Sequence, residues 1–213
     1  MRAYAFLDPA ATDYVSGARW PVPADDGPGE WRDPNGGEPL RACTSDQLVW
    51  WIDQMLWEVE LAGDVHDTGR SLHGERGRLM APVDAWSPDV AHELTVDCAV
   101  RLRDRSVAAL EVDGRDAEAR ALEAADGLDT IAAAAAAAAA GTGDGAGPLL
   151  AGYTSDLIRF AGFMPDPARG AAVAARVAAH ALAGGDEAAP GYDQAYAAER
   201  HRQASWLRTR LGL

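Results

Sequence analysis

The sequence predicts an α+β protein: a Trp-rich, mainly antiparallel β module with one short helix over residues 1–86, then a bundle of about five helices over 87–213. Three observations carry this. Residues 8–41 are broken by Pro, Gly and Asp turns, which suits short strands. Trp57, Val59 and Leu61 alternate with Glu58 and Glu60, the period of a strand with one dry face. After Trp86 the apolar residues recur at helical spacing and the caps are those of helices.

Arg2–Leu7 reads as the first strand, ended by Asp8-Pro9. In the loop-rich stretch that follows, Asn35-Gly36 predicts a tight turn, while Trp20 and Trp31 predict anchors onto the sheet, because free linkers are poor in aromatics. Pro39–Cys43 reads as a short strand. Thr44 and Gln47 are spaced as a capping box, and Leu48, Trp51, Ile52 and Met55 then predict a short aromatic helix. Ala62-Gly63-Asp64 reads as a turn, after which Val65–Ser71 and Gly77–Val83 pair around a loop at Leu72–Glu75. In all, four to six strands are expected before residue 87.

Ser87-Pro88-Asp89 starts the first long helix, with Ser as N-cap, Pro at the first position and Asp at the positive end of the dipole. Its stripe is Ala91, Leu94, Cys98, Leu102 and Ala109, and Asp113-Gly114 ends it. One helix is expected over 116–140, then a flexible loop at Gly141–Gly147, and helices over 148–164, 167–183 and 192–211. Alanine is the best helix former, and the Ala132–Ala140 run gives a smooth surface for close packing or for pairing between copies as a homo-oligomer.

Composition excludes several functions. The net charge is −14, which disfavours nucleic acid and anionic membranes as partners. All 19 basic residues are Arg, which with the abundant Ala reads as codon bias. Without Lys there is no Walker A loop, Schiff base or Lys-anchored pyridoxal phosphate, and neither GxGxxG nor GxSxG occurs. No cofactor is expected. The N-terminus lacks the apolar core of a signal peptide, and Cys43 and Cys98 have no second Cys at metal-ligand spacing. The expectation is a reduced, cytoplasmic setting.

Three segments have a familiar look: RAYAFLD followed by Arg19-Trp20-Pro21; LWEVEL followed by Gly77-Arg78-Leu79 and Ala85-Trp86; and Glu199-Arg200-x-Arg202-Gln203-x-x-Trp206-Leu207 before Leu211-Gly212-Leu213. Together they resemble an uncharacterised family of actinobacterial proteins. The resemblance implies a cytosolic bacterial protein with this two-part layout, and it carries over no activity and no catalytic residue.

The candidate chemistry lies around residues 43–78. Glu58 and Glu60 share a strand face and could divide acid and base roles, or form a solvated sheet face. His66 and His73 flank a loop, titrate near neutral pH, and with the two glutamates define a candidate acid–base site in a crevice between the modules. Asp67, Glu75 and Arg76 lie among them, but His-x6-His is no familiar metal spacing, so no metal site is expected. Cys43 precedes a helix start, where a thiolate would be stabilised, although a lone Cys is usually a small buried hydrophobe. Six of the seven tryptophans lie between residues 20 and 86. Trp50, Trp57 and Arg78 are the expected ligand or partner contacts, with core filling as the alternative use of the rings. Among Glu199, Arg200, Arg202, Gln203 and Trp206 on the last helix, Glu199 can pair with Arg202 or Gln203 on one face, and the helix reads as a docking element with Trp206 and Leu207 buried against the body. The favoured function is a soluble cytosolic binding or interaction module using a Trp-rich surface; the competing one is a small-molecule enzyme using the His/Glu site.

Overall fold

A computed structural model describes residues 3–24, 27–33, 40–141 and 145–213. The turn predicted at Asn35-Gly36 and the middle of the loop predicted at Gly141–Gly147 lie outside these residues. The fold is α+β, with a curled four-stranded antiparallel sheet and six helices among the described residues. The chain divides into two compact units, Met1–Val90 with His201–Leu213, and Ala91–Arg200. The end of the last helix therefore belongs with the strands, an assignment that the helical periodicity of the sequence does not indicate.

In the first unit, β1 (Ala3–Leu7), β2 (Leu40–Ala42), β3 (Met55–Asp67) and β4 (Leu72–Pro82) take the order β1-β3-β4-β2. The outer strands also meet, because Tyr4 and Cys43 exchange N–H···O bonds of 2.8 and 2.7 Å. This curl leaves β1 covered on both faces, and all five of its residues are buried. The dry face packs Ala3, Ala5, Leu7, Trp57, Val59, Leu72 and Leu79 around Trp20, itself 2% exposed. Trp20 is thus the anchor its sequence context predicts, and Arg32 bridges Gly77 to hold the neighbouring loop on β4.

Three local readings are corrected. The aromatic helix is only a single 3-10 turn, Leu48–Trp50, because Leu48, Val49 and Ile52 are all buried and β-branched residues add little helix propensity. Half of the capping box survives: Gln47 Oε1 accepts the Thr44 N–H at 2.9 Å. Ala62-Gly63-Asp64 is a bulge inside a 13-residue strand, with Gly63 at φ +79°, and the chain reverses instead after Asp67. Consequently Leu72–Glu75, expected as loop, opens β4.

In the second unit, α1 (Pro88–Val112, whose first turn lies in the first unit) begins where Ser87 Oγ accepts the Val90 N–H at 3.3 Å. It buries Leu94, Cys98, Leu102 and Leu110. The single helix expected over 116–140 is two, α2 (Asp116–Glu123) and α3 (Leu128–Ala139). Asp126-Gly127 breaks it: Gly127 adopts φ +85°, and its carbonyl restarts the ladder by accepting from Ile131. Among the described residues, six helices therefore stand where five are expected. α4 (Ala146–Gly162) takes in two residues expected as loop. α5 (Pro167–Leu182) follows its Asp166 N-cap, and α6 (Tyr192–Leu211) has the predicted span. Ala135, Ala138 and most alanines of α5 are buried within this unit, while Ala133, Ala136, Ala137 and Ala140 of the run are exposed. No described helix is long and apolar enough to cross a membrane.

Candidate functional site

The β3–β4 hairpin ends in Thr68-Gly69-Arg70-Ser71, and these residue types lock the turn onto itself. Asp67 Oδ1 accepts the Gly69 N–H at 2.7 Å, Ser71 O accepts the Thr68 N–H at 2.9 Å, and Thr68 Oγ1 lies 3.0 Å from Ser71 Oγ. The segment before β3 clamps this tip from the side. Gln47 Nε2 donates to Asp67 Oδ1 at 2.8 Å, and Trp51 Nε1 donates to the Arg70 carbonyl at 2.6 Å.

The result is a platform of two adjacent half-buried indoles, each covered by a guanidinium. Arg70 lies 4.5 Å over the Trp50 ring and Arg41 lies 4.0 Å over Trp51. The 3-10 turn makes this possible, since it ends between the two residues and lets both rings reach the tip. The two arginines differ. Arg41 is ion-paired with Asp13. Arg70 is exposed and forms no ion pair among the described residues. Asp46, in the turn leading to the platform, is paired with Arg208 at 2.6 Å. A second such stack occurs farther along β4, where Arg76 and Arg78 lie 5.1 and 4.6 Å from the Trp31 ring.

The residues singled out from sequence fall as follows. His66 and His73 are direct cross-strand partners beside the hairpin tip. Glu58 and Glu60 lie farther down the same strand, eight and six residues before His66, or about 26 and 20 Å along it at ~3.3 Å per residue. The four do not converge. Glu60 instead accepts both Arg78 Nε and Nη2, at 2.8 and 2.7 Å. His73 Nε2 meets Ser71 Oγ at 2.9 Å, but Ser71 is buried and already bonded to Thr68, and no described carboxylate bonds His73. This pair is a turn lock, since a nucleophile needs both access and an oriented base.

Trp57, expected as a contact, is 8% exposed and belongs to the sheet core. Trp50 and Arg78 are half-buried, the latter committed to Glu60 and Trp31. Cys43 is 1% exposed, its Sγ lies 3.4 Å from the Tyr4 carbonyl, and burial pushes its pKa up to about 12. A thiol so held is no nucleophile. Of the last-helix residues, Glu199, Arg200, Gln203 and Leu207 are buried, Glu199 with a 2.8 Å bond from Arg101; Trp206 is only half-buried. No group of three or more His, Cys, Asp or Glu among the described residues could hold a metal ion.

Arg70 is the residue that sequence reasoning misses. Patterning puts it inside a strand, because the Gly63-Asp64 turn signal outweighs the Asp67-Thr68-Gly69 signature that exposes it. Compared with protein-family models, curated proteins and solved structures, the chain matches none.

Proposed function

We propose that the chain is a protein-interaction module that takes a carboxylate-bearing, acidic protein segment on the Trp50–Trp51–Arg70 platform. One observation carries this: a guanidinium held by an indole face yet without an anionic partner among the described residues. A guanidinium offers five donors in a fork that matches a carboxylate. Trp and Arg dominate the energetics of protein interfaces. Here both are pre-positioned by the Trp51–Arg70 and Gln47–Asp67 bonds, which lowers the ordering cost of association. The overall charge of −14 repels long polyanions at a distance, so the platform favours a short segment with one or two carboxylates amid apolar side chains.

The test is a tryptophan-fluorescence titration with the blocked peptide acetyl-Leu-Glu-Leu-Glu-amide and its Gln counterpart. The Glu peptide is expected to saturate, with binding at least tenfold weaker for the Gln peptide and for Arg70→Gln. Absence of saturation, or equal binding by both peptides or by Arg70→Gln, overturns the proposal. Inorganic phosphate competing as well as the Glu peptide would reassign the platform to a phosphorylated partner.

A further inference from the structure

The second unit contains a feature that the interaction surface does not use. An open groove of about 580 Å3 is lined by α3 and α4, with Ala139, Gly145, Leu149 and Gly152 as small or apolar walls. Its polar side chains are Tyr153 and Asp156. The volume is within the range of small-molecule sites, which pair apolar walls with a few placed polar groups.

Tyr153 is held from outside the groove. Its hydroxyl lies 3.3 Å from His180 Nε2, and the two rings meet edge to face at 5.5 Å. His180 Nδ1 lies 2.8 Å from the Tyr192 hydroxyl, and Tyr192 stacks on Tyr196 at 5.7 Å. Gly185, at φ +72°, closes the α5–α6 loop against the phenol: a Cβ there would come within 2.8 Å of the Tyr153 oxygen. Three segments thus fix one ring of the groove wall. Asp156 follows Tyr153 by three residues on the same helix face, is half-buried, and forms no ion pair among the described residues.

We infer that this groove binds a small organic cation with an apolar body. A fixed aromatic ring beside an unpaired carboxylate is the pairing that recognises ammonium groups, the ring through its quadrupole and the carboxylate through charge. Gly152 leaves the floor open for the ligand body: a Cβ at that position would meet only the Ala139 methyl, at an ordinary 3.8 Å. The site is independent of the Trp50–Arg70 platform, and neither result depends on the other.

The experiment titrates benzyltrimethylammonium into the full chain and follows backbone amide shifts by NMR, with benzoate as the anionic counter-probe. Saturation is expected with Kd below about 1 mM, typical of a well-fitted ligand of this size, with shifts centred on Gly145, Gly152 and Tyr153. Asp156→Asn is expected to weaken binding at least tenfold. Gly152→Leu, which leaves the backbone unstrained and fills the floor, is expected to abolish it. Tyr153→Phe keeps the ring and is expected to change Kd less than threefold. Equal binding of benzoate, no saturation, or an unchanged Kd in Asp156→Asn overturns the inference, as does binding that survives Gly152→Leu.

Discussion

Gly77 is closely walled by core side chains of the first unit, and its replacement by alanine tests that packing. A Cβ at Gly77 would lie 3.0 Å from two carbons of the Trp20 ring and 3.1 Å from a Leu40 methyl. Ordinary carbon contacts begin near 3.5 Å, so the ring or the strand must yield by about half an ångström. Trp20 and Leu40 are 2% and 3% exposed and have nowhere to retreat. Overpacking of this kind costs about 1–3 kcal/mol. For a unit of roughly 100 residues, each kcal/mol lowers Tm by about 4–8 °C, so Gly77→Ala should lower it by roughly 4–24 °C. The discriminating assay is a double-mutant cycle with Trp20→Leu, followed by urea unfolding. Trp20→Leu alone destabilises, but it removes the atoms that the added methyl would strike. The pair should therefore cost at least ~1 kcal/mol less than the sum of the single changes. Strict additivity would refute the clash, leaving only the backbone preference of glycine to explain the single variant.

Two further outcomes follow from local chemistry. Burial raises the Cys43 pKa from 9.0 to about 12, so the folded state keeps its proton where the unfolded chain loses it. Its contribution is intact below pH 9 and is lost as pH rises from 9 towards 12, at up to about 1.4 kcal/mol per pH unit; Cys43→Ala should flatten that slope in denaturant titrations, and native protein should resist a thiol reagent at about pH 8. Asp166 caps α5 by accepting the Arg169 N–H at 2.9 Å, so Asp166→Ala should destabilise by about 1 kcal/mol in thermal unfolding, with Asp166→Ser recovering most of it.

The helices are the most legible part of the sequence, because their ends are local. Ser87-Pro88, Asp166-Pro167 and Tyr192–Leu211 need only capping chemistry and a 3.6-residue period. The hairpin is harder to read because Gly63-Asp64 and Thr68-Gly69 are both sound turn signals, and only the cross-strand register selects between them. That choice decides the site. With the reversal at Thr68–Ser71, Arg70 stands at an exposed tip against Trp50, and His66 and His73 are moved away from Glu58 and Glu60. The burial of Trp57 is legible in its alternation with Glu58 and Glu60, whereas the partial exposure of Trp50 depends on the 3-10 turn that stands where a longer helix is expected. Tyr153, His180 and Tyr192 are brought together by the packing of three helices, and no spacing in the chain announces them.

On the proposed reading, Arg70 is the group that meets the partner's carboxylate. The arginine Nε–H resonances, followed by NMR during titration with acetyl-Leu-Glu-Leu-Glu-amide, report on it directly. The Arg70 resonance should move and saturate along the fluorescence binding curve, while Arg78, already paired with Glu60, stays in place. In Trp50→Ala, which removes the ring under the guanidinium, the Arg70 shift should shrink and the curve weaken together. An Arg70 resonance that stays fixed while the peptide saturates would contradict the account.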